Sequence, residues 1–187
     1  MAFSKYNEII HGFSGKLGQL LVFRQRAGRT IAAAAPRPSD VPDTEKQLAV
    51  RDKFLAATRY CKSAMADPVI KAAYAAAAQP GQTAYNLAIA DFFNAPVIAE
   101  PDLTGYSGQV GQVLKVEVTD NFSVKSVSFT IFKEDGSIQE QGQAIVDANN
   151  LQWLYTTTTP NVTAVGNRIE ISATDLPGNL TVRQKVL

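Results

Sequence analysis

Leu114-Lys115-Val116-Glu117-Val118-Thr119-Asp120-Asn121, followed by Val127-Ser128-Phe129-Thr130-Ile131, alternates apolar and polar residues with a period of two. An extended chain points successive side chains to opposite faces, so this period makes a ribbon with one apolar face. The pattern returns in Arg168-Ile169-Glu170-Ile171-Ser172-Ala173 and in Leu180-Thr181-Val182-Arg183. Turn formers fall between the runs: Asp120-Asn121, Glu134-Asp135-Gly136, Asn149-Asn150, Pro160-Asn161, Gly166-Asn167 and Pro177-Gly178-Asn179. The spacing predicts an antiparallel sandwich of about seven strands over residues 96–187. Trp153, the only tryptophan, is expected to anchor its core.

Upstream the period changes to 3.6. Thr44-Glu45-Lys46-Gln47 reads as a capping box. Val50, Phe54, Ala57, Cys61 and Met65 then form one apolar stripe. Asp67-Pro68 caps a second helix that ends at Gln79-Pro80-Gly81. A third helix is expected over Thr83 to Phe93, with Tyr85, Ala88, Ile89, Phe92 and Phe93 inward. Residues 39–95 are thus predicted to form a short helical bundle. Residues 1–38 read as a glycine-rich segment, with Gly12, Gly15 and Gly18 as turns, and a β-hairpin arm closed at Ala27-Gly28. Pro36 and Pro38 end it. A lone hairpin is marginal in water and needs a surface to pack on. The expected fold is therefore α+β and multidomain: hairpin, helical region, antiparallel sandwich.

The 187 residues are enough to bury a core without staples. Cys61 is the only cysteine and His11 the only histidine, which leaves no internal disulfide and no zinc set. No run approaches a membrane-spanning length. Net charge is +1, but residues 1–95 carry 12 Lys/Arg against 7 Asp/Glu and residues 96–187 carry 6 against 10. The halves are +5 and −4, complementary charges of the kind a head-to-tail contact between copies would use.

Val116-Glu117-Val118-Thr119-Asp120-Asn121, with Ala173-Thr174-Asp175-Leu176-Pro177-Gly178-Asn179, resembles the bacterial Ig-like repeats of adhesins and surface proteins. That resemblance covers about half the chain and implies an Ig-like fold, with no particular ligand. The first half resembles a family of uncharacterised bacterial proteins through Gly15-Lys16-Leu17-Gly18, Phe23-Arg24, Gly28, Pro36, Thr44, Gln47, Arg51-Asp52-Lys53-Phe54 and Tyr85-Asn86. It implies an architecture and no activity.

Candidate chemistry is sparse. The glycine spacing matches no phosphate loop. Lys16, Arg24, Arg26, Arg29 and Arg37 beside Phe13 and Phe23 could suit a nucleic-acid groove, but an edge strand or a contact to an acidic neighbour fits them better. Asp102, Asp120, Asn121, Asp175 and Asn179 could gather oxygens for calcium, although Asp and Asn are also the usual turn formers. His11 lacks a nucleophile partner, and no carboxylate pair is evident where a buried acid and base would sit. Asn121, Asn161 and Asn179 fit glycosylation sequons but read as turn residues.

The expectation is a non-enzymatic structural subunit without cofactor or metal. It would self-assemble into a filament or tube through Leu20, Val22, Phe23, Arg24, Arg26, Arg29 and Ile31 of the hairpin and display the Ig-like domain. Its partners would be copies of itself or other assembly or surface proteins, not nucleic acid. The alternative is an adhesin-like or phage-tail-like module that binds a surface glycan or protein. Residues 1–21 lack the apolar run of a cleavable signal. The expected setting is extracellular or particle-associated, reached by another route.

Overall fold

The structure, a computed structural model, describes residues 2–4, 10–26, 28–37, 41–148, 152–162 and 165–187, without the side chains of residues 2–4. Ala27 of the hairpin turn, Pro38, the Asn149-Asn150 turn and Thr163 of one sequon lie outside the described residues. The described chain holds three helices and three four-stranded antiparallel sheets. It divides into two compact units, residues 1–55 with 79–83, and residues 56–78 with 84–187.

In the first unit, β1 (Ala2–Ser4), β2 (Gly15–Leu17), β3 (Leu21–Arg26) and β4 (Arg29–Ala34) form a sheet in the order β1-β4-β3-β2. The expected lone hairpin is corrected here. β3 and β4 do pair from Leu21↔Ala34 to Arg26↔Arg29, but each has a further strand on its outer side. Gly15, expected in a turn, lies in β2 and pairs with Phe23. Thr30 and Ala35 are buried in this unit, whereas Phe13, Leu17, Leu20 and Leu21 are exposed.

Helix α1 (Glu45–Ala66) begins at the expected capping box: the Gln47 amide donates to Thr44 Oγ1 at 3.3 Å and the Thr44 amide to Gln47 Oε1 at 2.8 Å. The unit boundary falls within α1, after Leu55. Its predicted stripe is half right. Ala57 and Cys61 are fully buried, but Val50 and Phe54 are 64% and 51% exposed. Small side chains in the later turns admit close neighbours. There, Cys61 and Ala64 pack with Tyr74 of α2 (Pro68–Ala77) and with Leu87 and Ala88 of α3 (Ala84–Phe93). The buried members of this cluster all come from the three helices, and Phe122 and Leu176 of the strand region pack against its margin.

The strand region adds β5 (Val97–Ile98), β6 (Val113–Thr119), β7 (Val124–Phe132), β8 (Ile138–Gln143), β9 (Ile145–Val146), β10 (Gln152–Thr156), β11 (Arg168–Asp175) and β12 (Leu180–Val186). They form two sheets, β5-β6-β10-β9 and β12-β11-β7-β8. Leu114, Val116 and Val118 from the first sheet share one core with Val127, Phe129, Ile131, Ile169, Ile171 and Ala173 from the second. Burying each large side chain is worth about 1.5–3 kcal/mol. Trp153 is half-buried at the margin of this core, and Tyr155 stacks on Phe129 inside it.

β12 reverses its expected alternation. Leu180 and Val182 are exposed, while Thr181 and Arg183 pair with Ala173 and Ile171 on the core side. β12 is an edge strand, and its inward positions reach β5. The Thr181 hydroxyl donates to Pro96 O at 2.6 Å and Arg183 to Ile98 O at 2.9 Å. Arg183 and Lys185 both ion-pair with Glu100.

Candidate functional site

Local sequence places three carboxylates at one end of the second unit. In α3, Leu87, Ala88 and Asp91 recur on one helical face and are all buried. Asp120 follows β6. Asp175 ends β11 at a register shift after Thr174, the kind of irregularity that re-aims a side chain. One ligand atom from each of Asp91, Asp120 and Asp175 lies within 4.8 Å of the others.

Polar groups fix this cluster from two sides. Asp67 caps α2 by accepting from the Val69 and Ile70 amides, which helps set Tyr74 in the buried face. The Tyr74 hydroxyl donates to Asp91 Oδ2 at 2.5 Å and lies 2.9 Å from the Tyr60 hydroxyl. Its ring stacks on Phe122 at 4.0 Å. On the other side, Asp175 Oδ1 accepts from the Gly178 and Asn179 amides at 2.8 and 2.6 Å. This turn needs the left-handed backbone of Gly178, φ +96°. The Asn179 side-chain amide donates to Asp175 Oδ2 at 2.7 Å. Its second N–H is shared among the carbonyls of Asp91, Phe92 and Asn94 at 3.2–3.3 Å, at the C-terminal end of α3.

Two carboxylate oxygens are left over. Taken as ionised carboxylates, Asp91 Oδ1 and Asp120 Oδ1 are buried with no donor among the described residues; a proton on Asp91 gives it a hydrogen bond to Asp120. None of the three acids takes part in an ion pair among those residues. Burial pushes the Asp91 carboxyl up to about 6, against the Tyr74 hydrogen bond and with added repulsion from Asp120 and Asp175. Burial also raises Asp120, Tyr60 and Cys61. Tyr74 is raised well beyond the usual phenol range by burial and by its bonds to Asp91 and Tyr60.

Of the five residues considered for calcium, Asp120 and Asp175 are brought together, and Asn179 supports them. Asn121 is exposed. Asp102 bonds instead to the Thr104 amide and hydroxyl, which hold its carboxyl below the usual range, and it bridges to Lys115. Asp91, Tyr60 and Tyr74 were missed in the sequence. The available signal was an acid on the apolar stripe of α3. Asn161 is buried and bonds to Tyr106 and Asn167, a structural role for that sequon asparagine. His11 is exposed and Cys61 is buried.

The residues expected to mediate assembly lie mostly on one face of the N-terminal sheet. By register, Val22, Arg24, Arg26, Arg29, Ile31 and Lys16 share that face. Phe23 is on the opposite face, edge-on to Phe13 at 5.9 Å, and Leu20 precedes β3 and is exposed. β3 and β4 are both inner strands, so the backbone edges of this sheet belong to β1 and β2. In the second unit, a groove of about 410 Å³ is lined by Asp120, Phe122, Ser123, Val124, Val146 and Trp153, among others.

No family model and no curated protein matches this chain. A solved structure of an engineered protein is similar at 14% identity with a TM-score of 0.36. The similarity covers 58% of this chain and 30% of that one. No helix among the described residues is long and apolar enough to cross a membrane.

Proposed function

We propose that the chain is a non-enzymatic structural subunit that assembles with copies of itself through its N-terminal sheet and displays an Ig-like β-sandwich. The observation that carries this reading is the basic face of the first unit. Lys16, Arg24, Arg26 and Arg29 share it with Val22 and Ile31, in a sheet that buries little of its own apolar surface. Residues 96–187 carry 6 Lys/Arg and 10 Asp/Glu, a complementary charge for this face. A head-to-tail contact of that kind propagates as a filament or tube when its rotation does not close a ring. The outer strands β1 and β2 offer main-chain groups for strand addition, with the basic face setting the register. The order β5-β6-β10-β9 against β12-β11-β7-β8 supports the Ig-like assignment, because it follows the ABED and GFC pattern with one added edge strand.

Sedimentation velocity of the full chain with Arg24→Glu and Arg26→Glu tests the reading. The parent chain is expected to sediment as large species at low salt and the double variant as monomer. Identical profiles for the two would refute it.

The groove beside Trp153 and Asp120 favours a second reading, an adhesin-like module that recognises a surface glycan or protein. Aromatic walls with one carboxylate suit a sugar face and its hydroxyls. Quenching of Trp153 in a glycan screen would support it, and it would persist in the Arg24→Glu, Arg26→Glu variant.

A further inference from the structure

We infer that Asp91, Asp120 and Asp175 form a binding site for a divalent cation of the calcium type, which ties α3 to the ends of β6 and β11. The inference does not depend on the assembly reading. As ionised carboxylates, fully buried Asp91 and half-buried Asp120 each keep Oδ1 without a donor among the described residues. An unpartnered buried carboxylate is costly unless a proton or a cation meets it. No lysine, arginine or histidine ion-pairs with the three acids among the described residues.

The donor set is oxygen only, which suits hard cations and not the soft metals that use thiolate or imidazole. The three ligand atoms lie within 4.8 Å of one another, close enough for one ion to meet all three. Three carboxylates suit calcium, which takes six to eight oxygens in flexible geometry, better than magnesium, which keeps several waters and is held by one or two carboxylates. The carboxylates are also held in place by outer partners: Tyr74 on Asp91, the Ser123 amide on Asp120, and Gly178 and Asn179 on Asp175. Asp120 lines the open groove, which brings one member of the cluster to the solvent side.

The test uses the full chain after chelation. Terbium, a luminescent calcium mimic, is titrated in and read through sensitisation by Tyr60 and Tyr74, then displaced with calcium. Thermal unfolding is followed in parallel through Trp153 in calcium, magnesium or chelator. Saturable terbium emission that calcium displaces is expected. Calcium at ten times its Kd should raise Tm by roughly 3–6 °C, and magnesium by less. Asp120→Asn should weaken calcium binding at least about tenfold and remove the shift, whereas Asp102→Asn should leave both unchanged. The inference is overturned if the parent shows neither saturable emission nor a calcium-dependent Tm, or if Asp120→Asn retains the full shift. It is equally overturned if Asp120→Asn is as stable as the calcium-loaded parent whatever the cation, the behaviour of two acids sharing a proton.

Discussion

Replacing Tyr74 with phenylalanine isolates one atom at the centre of the second unit. The residue is fully buried, and its hydroxyl supplies the hydrogen bond to Asp91, whose other oxygen, in the ionised carboxylate, has no donor among the described residues. The ring can keep its stack on Phe122, so packing is conserved while the carboxylate loses its donor. A hydrogen bond to a charged group is worth about 1.5–3 kcal/mol. Tyr74→Phe should therefore cost about 2–3 kcal/mol in chelator at neutral pH. For a chain of this size that is a fall in Tm of about 4–12 °C. Tyr60→Phe removes only the neighbouring hydroxyl, a neutral pair worth about 0.5–1.5 kcal/mol. Because Tyr60 acts through Tyr74, the double variant should lose little more than Tyr74→Phe alone. Trp153 fluorescence reads the melt, since the only tryptophan lies in this unit and the two units need not unfold together. A Tyr74→Phe loss no larger than that of Tyr60→Phe would refute the account of Asp91 as a buried acid held by the Tyr74 hydroxyl.

Glu140 gives the pH dependence. Burial alone would raise its carboxyl, but the Thr158 amide, the Tyr155 hydroxyl and the Thr158 hydroxyl together hold it below its ordinary 4.5. A lowered folded value means the stabilisation is present above that pH and is lost as pH falls through the folded value. Thermal melts should accordingly show the parent ahead of Glu140→Gln by about 1–3 kcal/mol at neutral pH, with the gap closing in acid; a gap that widens in acid would contradict this. Gly142→Ala would place a Cβ 2.5 Å from the Tyr155 ring, which is stacked on Phe129. Urea titration should register a loss of about 1–3 kcal/mol, and a neutral result would mean Tyr155 can retreat. Asp67→Ala removes the cap of α2 and should cost about 0.5–2 kcal/mol by the same assay.

The sequence made the inner strands legible because they obey one rule. Every second residue of β6 and β11 meets the opposing sheet, so Leu114, Val116, Val118, Ile169, Ile171 and Ala173 are buried as their period predicts. β12 broke the rule because this edge strand faces β5 of the other sheet, where carbonyls at Pro96 and Ile98 call for donors such as Thr181 and Arg183. β1 and β2 escaped notice because each is only three residues long, too short to display a period, and Gly15 reads locally as a turn. Val50 and Phe54 have the spacing of a buried stripe, but periodicity cannot say where along a 22-residue helix the neighbours begin. The acidic cluster was half legible. Asp120 and Asp175 announced themselves as turn residues, whereas Asp91 comes from a helix and joins them only through contacts distant in sequence.

The central claim is assembly through the basic face of the N-terminal sheet. Negative-stain imaging of the full chain at high protein concentration and low salt tests it most directly. The account predicts regular filaments or tubes, dispersed by salt and absent in the Arg24→Glu, Arg26→Glu variant. A uniform field of single subunits under those conditions would contradict it.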